Sequence, residues 1–162
     1  LAFDKTGVLW TAVGGNLYRR IDDRWHAFKW PDEVVFEEVR YIHFDSQDRL
    51  WVCDKETGVH RLDGAAWKSF TMNEGLPSNE VWFIHEDSDQ GFWIGSAGGL
   101  SRIKDDRVHG FRPEALGWPG LVYHVLEDDL GFLWLSGNQG ILRVRRFDLD
   151  EIAGEYLEFM KK

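Results

Sequence analysis

Short apolar runs alternate with polar turns along almost the whole chain. The stretch 39–71 shows the pattern. Val39–Asp45 is largely apolar, and the turn Asp-Ser-Gln-Asp follows at 45–48. Arg49–Asp54 carries the Trp51-Val52 pair, and Lys-Glu-Thr-Gly at 55–58 leads into the alternating Gly58–Asp63. Asp63-Gly64 then turns the chain into Trp67–Thr71. Runs this short, rich in β-branched and aromatic residues and bounded by Gly, Asp, Asn and Ser, predict β-strands. The 3.6-residue period that a helical repeat sustains over ten or more residues is absent within this pattern.

The pattern repeats. Trp10, Trp51, Trp93 and Trp134 are spaced 41, 42 and 41 residues apart, and Asp4, Asp45, Asp87 and Asp128 each stand six residues before one of them. Val39, Val81 and Val122 keep a second register. Trp25, Trp67 and Val108 keep a third, each followed three residues later by Phe28, Phe70 or Phe111. Gly15, Gly58, Gly99 and Gly140 keep a fourth, each before an apolar run. Four strands in about 41 residues, with a Trp and a Gly at set places, are the signature of propeller blades. The expected fold is therefore all-β: blades of four antiparallel strands in a partial or self-completed ring, with a short C-terminal helix. The blades fall at about 1–37, 38–79, 80–120 and 121–147. The first is short of its inner strand and the last lacks a fourth strand after Arg146.

The tail, 148–162, breaks the repeat. Asp148 or Asp150 suits a helix N-cap, and Leu149, Ile152, Ala153, Tyr156, Leu157 and Met160 then share one face. Lys161 and Lys162 sit where cations favour a helix C-terminus.

Composition narrows the function. Nineteen Lys and Arg against 28 Asp and Glu give a net charge of −9, which argues against nucleic acid or an anionic membrane surface as the main partner. Aromatics at 15%, with nine Trp, exclude a disordered segment. No apolar run of bilayer-spanning length occurs. Cys53 is the single cysteine, so no intrachain disulfide forms, and its place in a strand suits a buried apolar residue. The chain opens at Leu1 without a secretory leader pattern, as at an excision or maturation boundary.

The stretch 70–102, FTMNEGLPSNEVWFIHEDSDQGFWIGSAGGLSR, closely resembles the two-component regulator propeller repeat. The segments 3–20, 44–62 and 127–144 match it less fully. The resemblance implies a segment of about four blades from a bacterial sensor, a hybrid histidine kinase or diguanylate cyclase, with the propeller periplasmic or otherwise extracytoplasmic. It implies sensing or ligand binding rather than catalysis, and many such sensors are associated with glycans. Two rivals stand beside it: an enzyme similar to the streptogramin lyases, which also carry Asp-x-x-Gly-x-Leu-Trp blades, and a plain protein–protein scaffold.

No motif for chemistry stands out. The four Asp invite a metal, but one carboxylate per blade lies far from its copies, and Asp at a turn accepts backbone N–H groups. The four Trp are expected to pack between blades, each N–H finding an acceptor. His43 and His85 share a register with Leu126. Tyr18, His60, Ser101 and Leu142 share another, so the histidines are packing residues rather than a ligand set. No cofactor is expected. One register varies as a recognition rim would. Arg40, Trp82 and Tyr123 follow the inner-strand Val, and Glu38 and Glu80 precede it. Planar rings, an Arg and carboxylates suit a glycan or another polar small molecule. Open blade faces would be apolar, so the segment is expected to self-associate or to pack on further blades of its parent.

Overall fold

The structure, a computed structural model, describes residues 1–29, 34–111, 117, 118 and 120–160, without the side chains of 154–160. These residues form four antiparallel sheets, one per repeat. The first holds β1 (Ala2–Phe3), β2 (Leu9–Val13), β3 (Asn16–Ile21) and β4 (Arg24–Ala27). The second holds β5 (Val39–Phe44), β6 (Leu50–Asp54), β7 (Gly58–Asp63) and β8 (Ala66–Phe70). The third holds β9 (Val81–Glu86), β10 (Phe92–Ser96), β11 (Gly99–Lys104) and β12 (Arg107–Phe111). The fourth has three strands, β13 (His124–Glu127), β14 (Phe132–Gly137) and β15 (Gly140–Arg145), followed at once by α1 (Arg146–Met160). Each sheet is a meander in chain order. The two-residue hairpins Asp22-Asp23 and Asp105-Asp106 have both residues at positive φ, which matches the twist of the flanking strands.

The inner strands of successive sheets lie side by side, so the sheets stack face to face along an arc. Three apolar layers form the core, one per junction. Trp10 and Leu17 meet Ile42, Leu50 and Val52 at the first. Trp51, Val59 and Phe70 meet Ile84, Phe92 and Ile94 at the second. Trp93, Leu100 and Phe111 meet Val125, Leu133 and Leu135 at the third. Middle strands are covered on both sides, so β6 and β10 are buried along their whole length, and strict apolar–polar alternation fails there.

One bonding pattern recurs in every sheet. Asp45 Oδ1 accepts the N–H groups of Gln47 and Arg49, and its Oδ2 accepts the indole N–H of Trp51 at 2.7 Å. Asp4 with Trp10, Asp87 with Trp93 and Asp128 with Trp134 repeat it at 2.9, 3.0 and 2.8 Å. The carboxylate closes the turn between the first two strands and anchors the Trp of the second. An arginine stands directly across the hairpin from each Trp: Arg19, Arg61, Arg102 and Arg143.

Glycine lets the link after the second sheet pack tightly. A Cβ on Gly98 would lie 2.5 Å from the Pro77 carbonyl, and one on Gly110 would lie 2.7 Å from the Gly75 oxygen. Gly98→Ala is expected to lower stability by about 1–3 kcal/mol, because the link must shift or strain. Urea unfolding of the variant against the parent measures it.

Two expectations need correction. Trp51 and Trp93 are fully buried, but Trp134 is 41% exposed, because no described residues cover its face of the fourth sheet. The helix begins at Arg146, ahead of Asp148 and Asp150, and turns Leu149 and Ala153 inward while Ile152 is exposed. Tyr156, Leu157, Met160, Lys161 and Lys162 lie outside the described side chains.

Candidate ligand-reading rim

Arg40, Trp82 and Tyr123 stand where neighbouring inner strands begin, at the end of the arc that also carries the links between sheets. Backbone irregularity places them. β5 pairs Val39 with Asp54 and Tyr41 with Cys53, which leaves Arg40 outside the ladder. β9 pairs Val81 with Ser96 and Phe83 with Gly95, which leaves Trp82 outside it. Tyr123 lies just ahead of β13 and donates its N–H to Ser136 O, although Ser136 already opposes His124. A bulge of this kind re-aims the extra residue.

The re-aimed side chains meet. The Arg40 guanidinium carbon lies 3.4 Å from the Trp82 ring centroid, and the Trp82 and Tyr123 rings meet edge to face at 5.1 Å. Glu38 and Glu80 flank the Arg40 guanidinium at 4.0 and 3.7 Å, and Lys55 reaches Glu38 at 3.4 Å. One position further along each strand runs a second row of rings, with Tyr41 against Phe83 at 4.4 Å and Phe83 against His124 at 3.6 Å. Burial holds the His124 pKa below its usual value, with His85 adding to the effect. Arg40 Nε, Trp82 Nε1 and Trp118 Nε1 are buried donors with no acceptor among the described residues. Donors of this kind suit a partner rich in oxygen acceptors.

All five rim residues expected from sequence, Arg40, Trp82, Tyr123, Glu38 and Glu80, therefore lie along one continuous row. The bulge that aims them left no trace in residue type. Lys55 and Trp118 stand outside the repeat registers, so the sequence pattern does not mark them. Lys55 lies in the turn after β6, and Trp118 sits in the least repetitive link, where its ring lies against Gly120 and Gly137.

The opposite end of the arc is built differently. A cavity of about 330 Å³ opens between the second and third sheets, lined by Arg49, Trp51, Arg61, Phe92, Lys104 and Asp106 among others. Arg61 and Asp106 pair across it. Hydrogen bonds from Arg61, then from Lys68, hold the Asp106 carboxyl down to about 2 against the opposing effect of burial. Burial pushes the Cys53 thiol well above its ordinary value, which leaves it unreactive. No cluster of three metal-ligating side chains occurs among the described residues. No described helix is long and apolar enough to cross a membrane.

Four meander sheets stacked face to face, with an indole between each pair, are consecutive blades of a β-propeller. Residues 75–98 match the two component regulator propeller family, so the chain carries that family's repeat. No curated protein matches the sequence. Among solved structures, one similar fold is the extracellular domain of a Bacteroides thetaiotaomicron protein assigned to the hybrid two component systems. It is 18% identical, with a TM-score of 0.73 over 89% of this chain and 21% of that one. A catalytically inactive virginiamycin B lyase from Staphylococcus aureus, solved with quinupristin, is 17% identical, with a TM-score of 0.67 over 89% of this chain and 50% of that one. PorZ, a surface component of the type-IX secretion system of Porphyromonas gingivalis, is 15% identical, with a TM-score of 0.62 over 88% and 25% of the two chains. At these identities the likeness is one of fold. The chain spans 21% and 22% of the length of the first two extracellular domains it matches.

Proposed function

We propose that this chain is a sensory segment of an extracytoplasmic bacterial propeller, and that it binds a polar small molecule at the rim without transforming it. The observation that carries the reading is the row Arg40–Trp82–Tyr123, raised out of the ladder on successive strands and flanked by Glu38 and Glu80. The exposed Tyr123 ring offers an apolar face to a hydroxylated ring such as a glycan unit, and Arg40 and Trp82 beside it carry N–H groups with no acceptor among the described residues. The matched repeat and the extracellular two component domains of similar fold support the cellular setting. A signalling module elsewhere in a parent protein would supply the output.

The test is calorimetry against a panel of neutral and acidic oligosaccharides. A ligand that binds the parent chain is expected to lose roughly 5- to 150-fold in affinity with Trp82→Ala and with Tyr123→Ala, since loss of either ring removes about 1–3 kcal/mol of contact. Unchanged affinity in both variants would move the site off the rim. Turnover of a bound ligand would replace binding by a lyase-like activity.

A further inference from the structure

In the third and fourth sheets the arginine across the hairpin from the Trp shares that indole's carboxylate. Arg102 Nη2 donates to Asp87 Oδ2 at 2.7 Å, and Arg143 Nη2 donates to Asp128 Oδ2 at 3.3 Å. The second sheet departs from this. There Arg49 donates its Nε to Asp45 Oδ2 at 2.6 Å, and Arg61 instead bonds Asp106 in the turn between β11 and β12. Residue size explains the exchange. Val8, Gly91 and Phe132 hold the place of Arg49 in the other sheets, each donating its N–H to the Asp four residues earlier. A Cβ on Gly91 would lie 3.0 Å from Arg102 Nε, Arg102 Nη2 and Asp87 Oδ2. Glycine there leaves room for the cross-hairpin arginine, and the larger Phe132 goes with the longer Arg143 bond. Arg49 fills that room with a guanidinium of its own, so the second sheet carries one guanidinium more than its Asp uses.

Both guanidiniums line the cavity of about 330 Å³ between the second and third sheets, which are complete and lie in the middle of the arc. Trp51 and Phe92 form its floor. The Arg49 guanidinium carbon lies 5.9 Å from each ring centroid, and that of Arg61 lies 5.4 Å from Trp51. Ring contacts and ion pairs hold both planar forks in place. Arg49 gives Asp45 only its Nε. Arg61 is 13% exposed, and its Nε is a buried donor with no acceptor among the described residues. A charged donor in that state suits an acceptor from outside the chain. Lys104 stands on the facing wall, exposed and without an ion pair among the described residues. Of the carboxylates on that wall, Arg61 and Lys68 hold Asp106 and Arg146 holds Asp89, which leaves Asp105 without a cation among the described residues.

We propose that this cavity is a second binding site, for a small ligand bearing an oxyanion: a carboxylate, sulfate or phosphate group. The oxyanion accepts from Arg61 Nε and from the Nη groups of Arg49, whose planar forks match its geometry, and Lys104 adds charge from the facing wall. The volume admits the anion together with a small body that carries it. The site stands apart from the rim at the other end of the arc and does not rest on binding there.

Sodium phosphate, sulfate and acetate, each titrated against chloride at constant ionic strength, test the site on the full chain. The Arg61 Nε–H resonance is followed by NMR, with the Arg40 Nε–H resonance at the rim as the comparison. A saturable shift of Arg61 is expected with at least one of the three anions, while Arg40 stays in place. A stronger response to phosphate and sulfate assigns a tetrahedral group, and a stronger response to acetate assigns a carboxylate. Lys104→Gln is expected to weaken binding by up to roughly fivefold, and Asp105→Asn to tighten it by a similar factor, both changes being at exposed residues. Arg61→Gln, read at the Trp51 indole N–H, is expected to weaken it roughly tenfold or more. The proposal is overturned if no anion moves the Arg61 signal, if the shift fails to saturate, or if Arg40 moves in its place. Equal affinities in the parent chain, Lys104→Gln and Asp105→Asn would overturn it as well.

Discussion

Trp93→Ala is expected to lower stability by about 3–5 kcal/mol, among the largest effects available to a single substitution in this chain. Trp93 is fully buried in the layer between the third and fourth sheets, against Val125, Leu133 and Leu135. Its removal leaves a cavity that two stiff sheets close poorly. It also strips Asp87 of its indole donor, leaving the buried carboxylate to Arg102 and two turn amides. In a domain of this size the change corresponds to a fall in Tm of roughly 6–20 °C. Trp134→Ala provides the internal comparison. It deletes the same residue from the same repeat position, with the same Asp bond, but from an open face, and is expected to cost about 1 kcal/mol. Thermal melts of the two variants side by side decide the matter. Equal losses would mean that junction packing does not set the stability of the buried Trp.

That contrast marks what residue type conveys and what it does not. The strands of the second unit were legible nearly residue for residue, because Asp, Gly and Asn punctuate them. The run Val39–Asp45 became β5 (Val39–Phe44), and Gly58–Asp63 became β7 unchanged. Asp and Trp were each assigned a structural role, but the bond joining them rests on a turn that brings residues six apart together, and spacing alone does not state it. Trp134 carries the same residue as Trp51 and Trp93, so its exposure depends on what stacks beyond the fourth sheet rather than on its own strand. The bulges at Arg40 and Trp82 arise from a mismatch between two strands, and neither strand announces it. The helical tail was legible from its apolar spacing, whereas its docking, with Leu149 beside Trp93 and Asp150 on Arg102, was not.

Acid is expected to destabilise the fold well above the range in which carboxylates titrate. His60 is 4% exposed on β7, with its ring nitrogens 3.0 Å from Thr57 Oγ1 and 2.9 Å from Ser69 Oγ, and with Phe36 packed edge-on against the ring. Burial holds its pKa down to about 4, with the nearby Asp54 opposing only in part. The neutral ring suits both hydroxyls: Thr57 Oγ1 donates to Asp54 Oδ1 and so accepts from the ring's Nε2–H, which leaves Nδ1 to accept from the Ser69 hydroxyl. In the unfolded chain the same imidazole takes up a proton near pH 6.5. Between those values the unfolded state binds more protons than the folded one, so stability is complete above about pH 6.5 and falls as pH drops toward 4. A gap of this size corresponds to about 3 kcal/mol lost over that window. Burial lowers the pKa values of His43, His85, His109 and His124 as well, so their contributions carry the same sign. Urea unfolding at half-unit steps from pH 7.5 to 4 is expected to show the fall, and His60→Asn, which has no proton to gain, is expected to flatten it even if the variant starts less stable at neutral pH. An NMR titration of the His60 ring gives the second reading. A midpoint near 6.5 in the folded protein, or an unchanged slope in His60→Asn, would remove His60 as the source of the acid sensitivity.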